Sequence, residues 1–256
     1  MEREPDDEER ARRFGKELFW REASRLLERV AESQAEAIRR AAELFADRIE
    51  RDGVIHAFGT GHSRAFAMEL ANRAGGLIPF DMMSLEQLVL AGWPPERVFD
   101  PELERDPEAG AALLAMRRLE PQDAFIIASN SGVNAAVVEV ALRAREAGYP
   151  LVAVTSLEHT RRVESRHPGG KRLFELADVV IDNGGPFGDA LLELPGGGRA
   201  CSVSSLTGAL VAQMLTAEVI GLLLRRGLRP PVLLSVNVPG GRERNEELRR
   251  HYEGRI

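Results

Sequence analysis

The sequence predicts a single α/β domain, a parallel β-sheet covered on both faces by helices and extended by helices at both ends. Three observations predict it. Five short apolar runs, GVIHAFG (53–59), LIPFDMM (77–83), DAFIIAS (123–129), PLVAVTS (150–156) and ADVVID (177–182), have the length of buried strands, and four carry β-branched residues at the centre. Helical patterns separate most of them, most clearly over 65–74, 108–119 and 134–147. The first, third and fourth runs end in Gly, Ser or Thr, the residues at which a strand hands over to a helix.

The chain begins with MEREPDDEERARR, almost all charged, which reads as a frayed, solvated tail over residues 1–13. Residues 14–49 read as helix: Leu18, Leu26, Leu27, Val30, Ile38, Leu44, Phe45 and Ile49 recur near helical spacing without an intervening proline. So long an amphipathic lead-in predicts a helical hairpin whose apolar stripe packs on the domain or on a second subunit. The α/β core follows over 53–182. Within it, WPPERVFDPELERDP (93–107) reads as an insertion between elements rather than a domain boundary. In the closing segment, 183–256, LPGGGR (194–199) is a flexible turn ahead of an apolar helix from Val203 to Leu224. No internal repeat or low-complexity linker divides the chain, so residues 14–256 are predicted to form one domain.

Composition narrows the function. A formal net charge of -6 over 256 residues argues against general nucleic-acid binding, which calls for a basic surplus. The single cysteine, Cys201, excludes an internal disulfide framework and fits a reducing compartment; placed just before an apolar helix, it reads as a buried, inert thiol. The N-terminus lacks the basic-then-apolar order of a signal peptide. Even LTGALVAQMLTAEVIGLLL carries Gln213 and Glu218, so no run is expected to span a membrane. A cytoplasmic protein with neither nucleic-acid nor membrane partners is expected. His56, His62, His159, His167 and His251 show no ligand pair at helical or turn spacing, and neither a metal nor another cofactor is expected. His56, inside a strand, reads as a core histidine.

FGTGHSRAF (58–66) raises the functional question. In open α/β sheets ligands sit beyond the carboxyl ends of the strands, where strand order reverses. In a sheet ordered 2-1-3-4-5 the first and third strands are neighbours across that point. GTGHS after the first strand and SNSGVN (129–134) after the third would then converge on one crevice, each opening a helix whose N-terminus favours an anion. Hydroxyls and free backbone N–H groups of this kind are phosphate ligands. A dinucleotide is the rival reading: Gly59 and Gly61 supply two glycines of G-x-G-x-x-G, and Asp81 stands where a ribose-binding acid belongs. Arg64, however, occupies the third glycine position, where close helix–strand packing is needed, and the SNSG loop has no part in that scheme.

FGTGHSRAFAMELANRAGG together with ASNSGVNAAVVEVALRAREAGYPLVAVTS resembles the SIS (sugar isomerase) domain. SRHPGGK and PPVLLSVNVPGGRERN resemble a bacterial branch of that superfamily similar to phosphoheptose isomerases and N-acetylmuramic acid phosphate etherases. The resemblance implies a flavodoxin-like three-layer sandwich with a five-stranded parallel sheet of order 2-1-3-4-5. It also implies a homodimer or dimer of dimers that binds a sugar phosphate. The superfamily's S-x-S-G-x-T loop falls on Ser129, Asn130, Ser131 and Gly132, with Asn134 where Thr is usual. Gly59, Thr60, Gly61, His62 and Ser63 fall on the first loop, which contacts sugar and phosphate.

Isomerisation and elimination of such sugars both begin by removing a proton next to a carbonyl, which needs a positioned base. Glu69 is the leading candidate, because it falls beside the buried stripe of Ala67, Leu70, Ala71 and Ala74 and can point toward ligand or partner; its plain alternative is an ion pair with Arg73. His62, within the loop, is the second candidate. Asp182 reads as the cap of the Asn183–Gly184 turn and Glu86 as the third residue of a capping box begun near Ser84. Arg161, Arg162, Arg166, Lys171 and Arg172 make a basic stretch in an acidic protein. SRHPGGK within it reads as a shaped loop through which His167 and Lys171 meet the anionic sugar. The expected function is lyase, dehydratase or isomerase chemistry on an amino-sugar 6-phosphate, and the non-enzyme alternative is a phosphosugar-sensing module.

Overall fold

The computed structural model describes residues 5–256. Helix α1 (Pro5–Arg13) occupies most of the stretch expected to be a tail, and residues 1–4 lie outside the described residues. The charges that suggested fraying support the helix locally, since Glu9 and Arg13, four apart, form an ion pair along it. The lead-in is two helices, α2 (Lys16–Ser33) and α3 (Ala35–Ile49), broken at Gln34. There follow β1 (Ile55–Gly59), α4 (Arg64–Leu70), β2 (Phe80–Met83), α5 (Pro95–Val98), α6 (Pro107–Ala115) and β3 (Ala124–Ala128). Then come α7 (Ala135–Glu146), β4 (Leu151–Thr155), α8 (Leu157–Thr160), α9 (Leu173–Leu176) and β5 (Val179–Asp182). A hairpin of β6 (Ala190–Glu193) and β7 (Arg199–Ser202), then α10 (Ser204–Arg225) and α11 (Gly241–His251), complete the chain.

The five strands β1–β5 pair in parallel in the order β2-β1-β3-β4-β5, with Gly59 opposite Ala128 where β1 and β3 end together. Sandwiching the sheet are two apolar layers. On one face Phe45, Ala46, Leu70, Val211 and Leu215, from α3, α4 and α10, cover Ile55, Ala57 and Ile126. On the other, Leu113, Val137, Val140, Ala141 and Leu173, from α6, α7 and α9, cover Phe58, Phe125 and Ile127. Every position of β1, β3 and β4 is buried, which is why those runs are continuously apolar instead of alternating.

Several local expectations change. The lead-in stripe, Leu26, Val30, Ile38, Phe45 and Ile49, is covered by α10 and the sheet of the same chain, so it does not await a second subunit. Helix α4 stops at Leu70 instead of continuing to residue 74: Ala71 is extended and Asn72 is left-handed. The chain there is drawn toward the C-terminal segment, with the Gly75 and Ile78 N–H groups donating to the Leu233 and Pro231 carbonyls. LPGGGR is the turn of the β6–β7 hairpin, and Cys201 on its outer strand is exposed, not buried, because no helix covers that hairpin strand. By length and composition alone α10 passes as a membrane span, 22 residues with an 18-residue window of mean hydropathy 1.7, although no such run was expected from sequence. Here its Val211, Leu215, Val219 and Leu223 pack against α3, α4 and the sheet.

Candidate functional site

The sheet reverses its order between β1 and β3, and both loops of interest emerge there. The first is a single tight turn, Gly61–Ser63, entered through Gly59. A Cβ on Gly59 would lie 2.5 Å from the Ser63 carbonyl oxygen and 3.1 Å from that of Ala128, so glycine is required for the turn to fold back over β3. The second turn hinges on Gly132 at φ 65, where a Cβ would stand 3.0 Å from the hydroxyls of both Thr155 and Thr160. Its Gly132 N–H donates to Ser129 Oγ at 3.1 Å, which leaves the Ser129 hydroxyl proton free to donate outward. Asn134 follows as the residue preceding α7.

Between the turns lies a narrow slot lined by His62, Ser63, Ser129, Asn130, Asn183 and Ser204, with free space of about 20 Å³, on the scale of one water molecule. Ser204 and Ser205 bring the N-terminus of α10 to this slot, and Asp189 caps that helix by accepting from the Ser204 N–H and hydroxyl at 2.8 and 2.7 Å. Asn183 Nδ2 donates to Asn130 Oδ1 at 3.0 Å and holds the slot floor. On the other side of the Gly59–Gly61 turn opens a cavity of about 270 Å³. Thr60, Arg64, Glu86, Phe99 and Glu104 line it, so the Pro-rich insertion is one wall of the site. Thr60 Oγ donates to Glu104 Oε2 at 2.8 Å, and Arg64 pairs with Glu86. Polar groups therefore converge on both sides of one turn, around a water-sized slot that must widen to take anything larger and a cavity with room for a polyhydroxyl body.

The expected residues distribute unevenly. Gly59, Thr60, Gly61, His62, Ser63, Ser129 and Asn130 surround the slot and cavity, and Ser131, Gly132 and Asn134 form the turn behind them. Glu69 does not reach either space: its carboxylate accepts from Gln213 Nε2 at 2.6 Å and pairs with Arg73, the plain alternative. Nor does His167 meet the crevice, because Nδ1 accepts from the Gly169 N–H at 3.0 Å and Nε2–H donates to Glu139 at 2.7 Å. Lys171 is exposed on the same loop, and its carbonyl accepts from Ser165 Oγ at 2.6 Å. Another cation of that loop, Arg166, does meet the turn: its guanidinium donates to Asn134 Oδ1 at 2.7 Å. Asp182 closes its turn by accepting from the Gly184 N–H at 3.0 Å. The capping box after β2 uses Gln87, whose Oε1 accepts from the Ser84 N–H, and Glu86 is left to face the cavity. Asp81 is occupied by His56 and Arg117 at 3.0 and 2.7 Å, away from any ribose position. Among the described residues no cluster of three His, Cys, Asp or Glu side chains is placed to hold a metal.

Glu104 and Phe99 lie in the insertion at 93–107, where no periodicity or motif marks a single side chain; its length between β2 and α6 is the one signal that sequence offered. Ser204 and Asn183 are brought in from far along the chain, and no local pattern announces them.

The SIS domain family model matches residues 18–156. A UPF0309 protein of Listeria monocytogenes is 38% identical over 242 residues, 93% of this chain and 97% of its own length. One of Halalkalibacterium halodurans is 36% identical over 230 residues, 90% and 94% of the two chains. Among solved structures, a phosphoheptose isomerase from Francisella tularensis aligns with a TM-score of 0.55 at 14% identity, covering 79% of this chain and 95% of that one. Phosphoheptose isomerase GmhA from Neisseria gonorrhoeae aligns with a TM-score of 0.50 at 22% identity, covering 78% and 95%. At those identities the structures speak for the fold, while the sequence matches span more than half of this chain and nearly all of the relatives. The chain belongs to the SIS domain family, in its UPF0309 branch.

Proposed function

We propose that the protein binds a phosphorylated sugar, an amino-sugar 6-phosphate, and catalyses isomerase or lyase chemistry on it by removing a proton next to the carbonyl. The observation that carries this reading is the convergence of Ser63, the Ser129–Gly132 turn and the N-terminus of α10 on one small slot beside a larger polar cavity. Hydroxyls and helix-terminal N–H groups suit a phosphate, and the cavity, with its carboxylates, threonine hydroxyl and Phe99, suits a sugar body. Glu104 is the base of this proposal in place of Glu69. It faces the cavity and its one hydrogen-bond partner among the described side chains is a hydroxyl, so it can accept a proton without first breaking an ion pair. His62 lines the slot and not the cavity, so in this proposal it serves the phosphate and not the proton transfer.

Thermal-shift measurements with hexose, heptose and amino-sugar phosphates test the binding step. A ligand at about 100 times its Kd is expected to add roughly 2.7 kcal/mol of stability. Ser63→Ala and Ser129→Ala, which remove the two loop hydroxyls that line the slot, are each expected to weaken that ligand by roughly 1–2 kcal/mol, the size of a hydrogen bond to a charged group. Equal affinity for the dephosphorylated sugar would sink the reading.

A homodimer belongs to the same proposal, but through a different surface from the lead-in helices. The outer face of α10 leaves Leu206, Gln213, Ala217 and Leu224 exposed in a stripe along one side. Light scattering at micromolar concentration is expected to report a dimer that Leu224→Glu weakens; a wild-type monomer would remove this part of the proposal.

A further inference from the structure

Beneath the Ser129–Gly132 turn sits a group that the proposed function leaves without a role. Thr160, the last residue of α8, is fully buried, and its hydroxyl has no hydrogen-bond partner. The rest of its surroundings is satisfied: its N–H donates to the Ser156 carbonyl at 2.8 Å and its own carbonyl accepts from Arg172 Nη1 at 3.3 Å. Thr155, which flanks Gly132 alongside it, uses its hydroxyl to hold the Asn130 carbonyl at 3.3 Å. Of these two threonines Thr160 alone is left unpaired, and its oxygen lies 3.0 Å from the point where a Cβ on Gly132 would sit. A buried hydroxyl without a partner costs stability, and folded proteins seldom keep one.

Gly132 is also the joint at which the turn reverses, and its carbonyl accepts from the Leu173 N–H at 2.8 Å. It holds φ 65 without a side chain, and its N–H is engaged by Ser129 Oγ, one of the groups a phosphate would recruit. An anion drawing on that hydroxyl and that N–H together would pull their mutual bond apart and turn the Gly132 peptide, directly above Thr160. Resting on the phosphosugar reading, we infer that Thr160 is a positioning residue of the phosphate turn. Its hydroxyl is unpaired while the turn is empty and gains a hydrogen bond to the turn when the turn closes on a phosphate.

The inference predicts opposite signs for stability and binding, which a purely structural threonine would not produce. Thr160→Val keeps the shape and removes the hydroxyl. In the full-length chain its ligand-free Tm is expected to rise by about 2–4 °C, while affinity for inorganic phosphate and for glucosamine 6-phosphate, measured by calorimetric titration, falls roughly tenfold. Thr160→Ser, which keeps the hydroxyl, is expected to hold wild-type affinity for both probes. A Thr160→Val protein with unchanged affinity, or with a lower ligand-free Tm, overturns the inference, as does Thr160→Ser binding as weakly as Thr160→Val. If wild-type protein binds neither probe nor any other sugar phosphate, the phosphosugar reading itself falls and the inference with it.

Discussion

Glu104→Gln is expected to lower turnover of the sugar phosphate by about 10²–10⁴-fold, the range for a lost acid–base group, while leaving its binding in place. The amide keeps the size of the side chain and can still accept from the Thr60 hydroxyl, now 2.8 Å away, so the cavity wall is preserved. Exchange of the substrate's C2 proton with deuterated solvent is expected to disappear in step, because that exchange reports proton abstraction directly. Glu69→Gln is the control. It breaks a partly exposed ion pair with Arg73 and alters a contact with Gln213, changes worth little in water, and turnover is expected to stay within a few-fold of wild type. The reverse result, with Glu69→Gln inactive and Glu104→Gln active, would return the base to α4. A wild-type protein that binds the sugar phosphate yet neither exchanges nor converts it would make the chain a sensor.

The sheet was legible because its three central strands are buried on both faces. Continuous apolar runs such as Phe125–Ala128 and Leu151–Val154 then have no polar residue to obscure them, and intervening helices force parallel crossovers. Strand order came with the resemblance to the SIS domain, and in that order the two Gly/Ser loops share one crevice. Helix ends were less legible. Left-handed Asn72 is a local mark of the stop in ELANRAGG, but what draws the chain away from α4 is hydrogen bonding to Leu233 and Pro231, about 160 residues away along the chain. The exposed Cys201 was missed for a similar reason, since apolar neighbours in sequence do not show that a two-stranded hairpin stands uncovered.

The site divides along the same line. Backbone-determined parts, Gly59, Gly61, Gly132 and the hydroxyl residues beside them, were readable because the residue type is the reason for the geometry. Side chains acting at a distance were not. Helical spacing put Glu69 beside Ala67, Leu70 and Ala71, which are buried, though Ala74 lies exposed beyond the helix, and it could not tell that α10 would pass over that side and offer Gln213. Composition located a basic loop, yet it could not tell that His167 would brace that loop on Glu139 while Arg166 reached Asn134. Spacing fixes the face on which a residue lies; the partner that meets it there depends on tertiary contacts.

His56→Gln is expected to destabilise the protein by about 3–5 kcal/mol near pH 6, the cost of removing one member of a buried charged cluster. His56 is fully buried in β1, with Nδ1 3.0 Å from Asp81 Oδ2 and Nε2 3.4 Å from Asp123 Oδ2. Asp123, equally buried, also accepts from the Val54 and Glu120 N–H groups at 2.8 Å and from Arg255 Nη2 at 2.6 Å, which fastens the C-terminus to the sheet. Burial alone would push the imidazole's pKa down, but the hydrogen bonds to Asp123 and Asp81 outweigh it and raise the value. Burial likewise acts to raise both carboxyls, and the bonds to His56, with Arg117 for Asp81 and backbone N–H groups for Asp123, hold them below the usual range. The signs follow. The stabilisation from His56 is complete below its unfolded pKa, about 6.5, and is lost as pH rises through the raised folded value. That from Asp81 and Asp123 is complete above about 3.9 and is lost only as pH falls through their lowered values. The gap in Tm between wild type and His56→Gln is therefore expected to be widest between about pH 4 and 6.5 and to narrow steadily toward about pH 9. A gap that stays constant across that range would show that His56 is held neutral, and that Arg117 and Arg255 alone balance the two carboxylates.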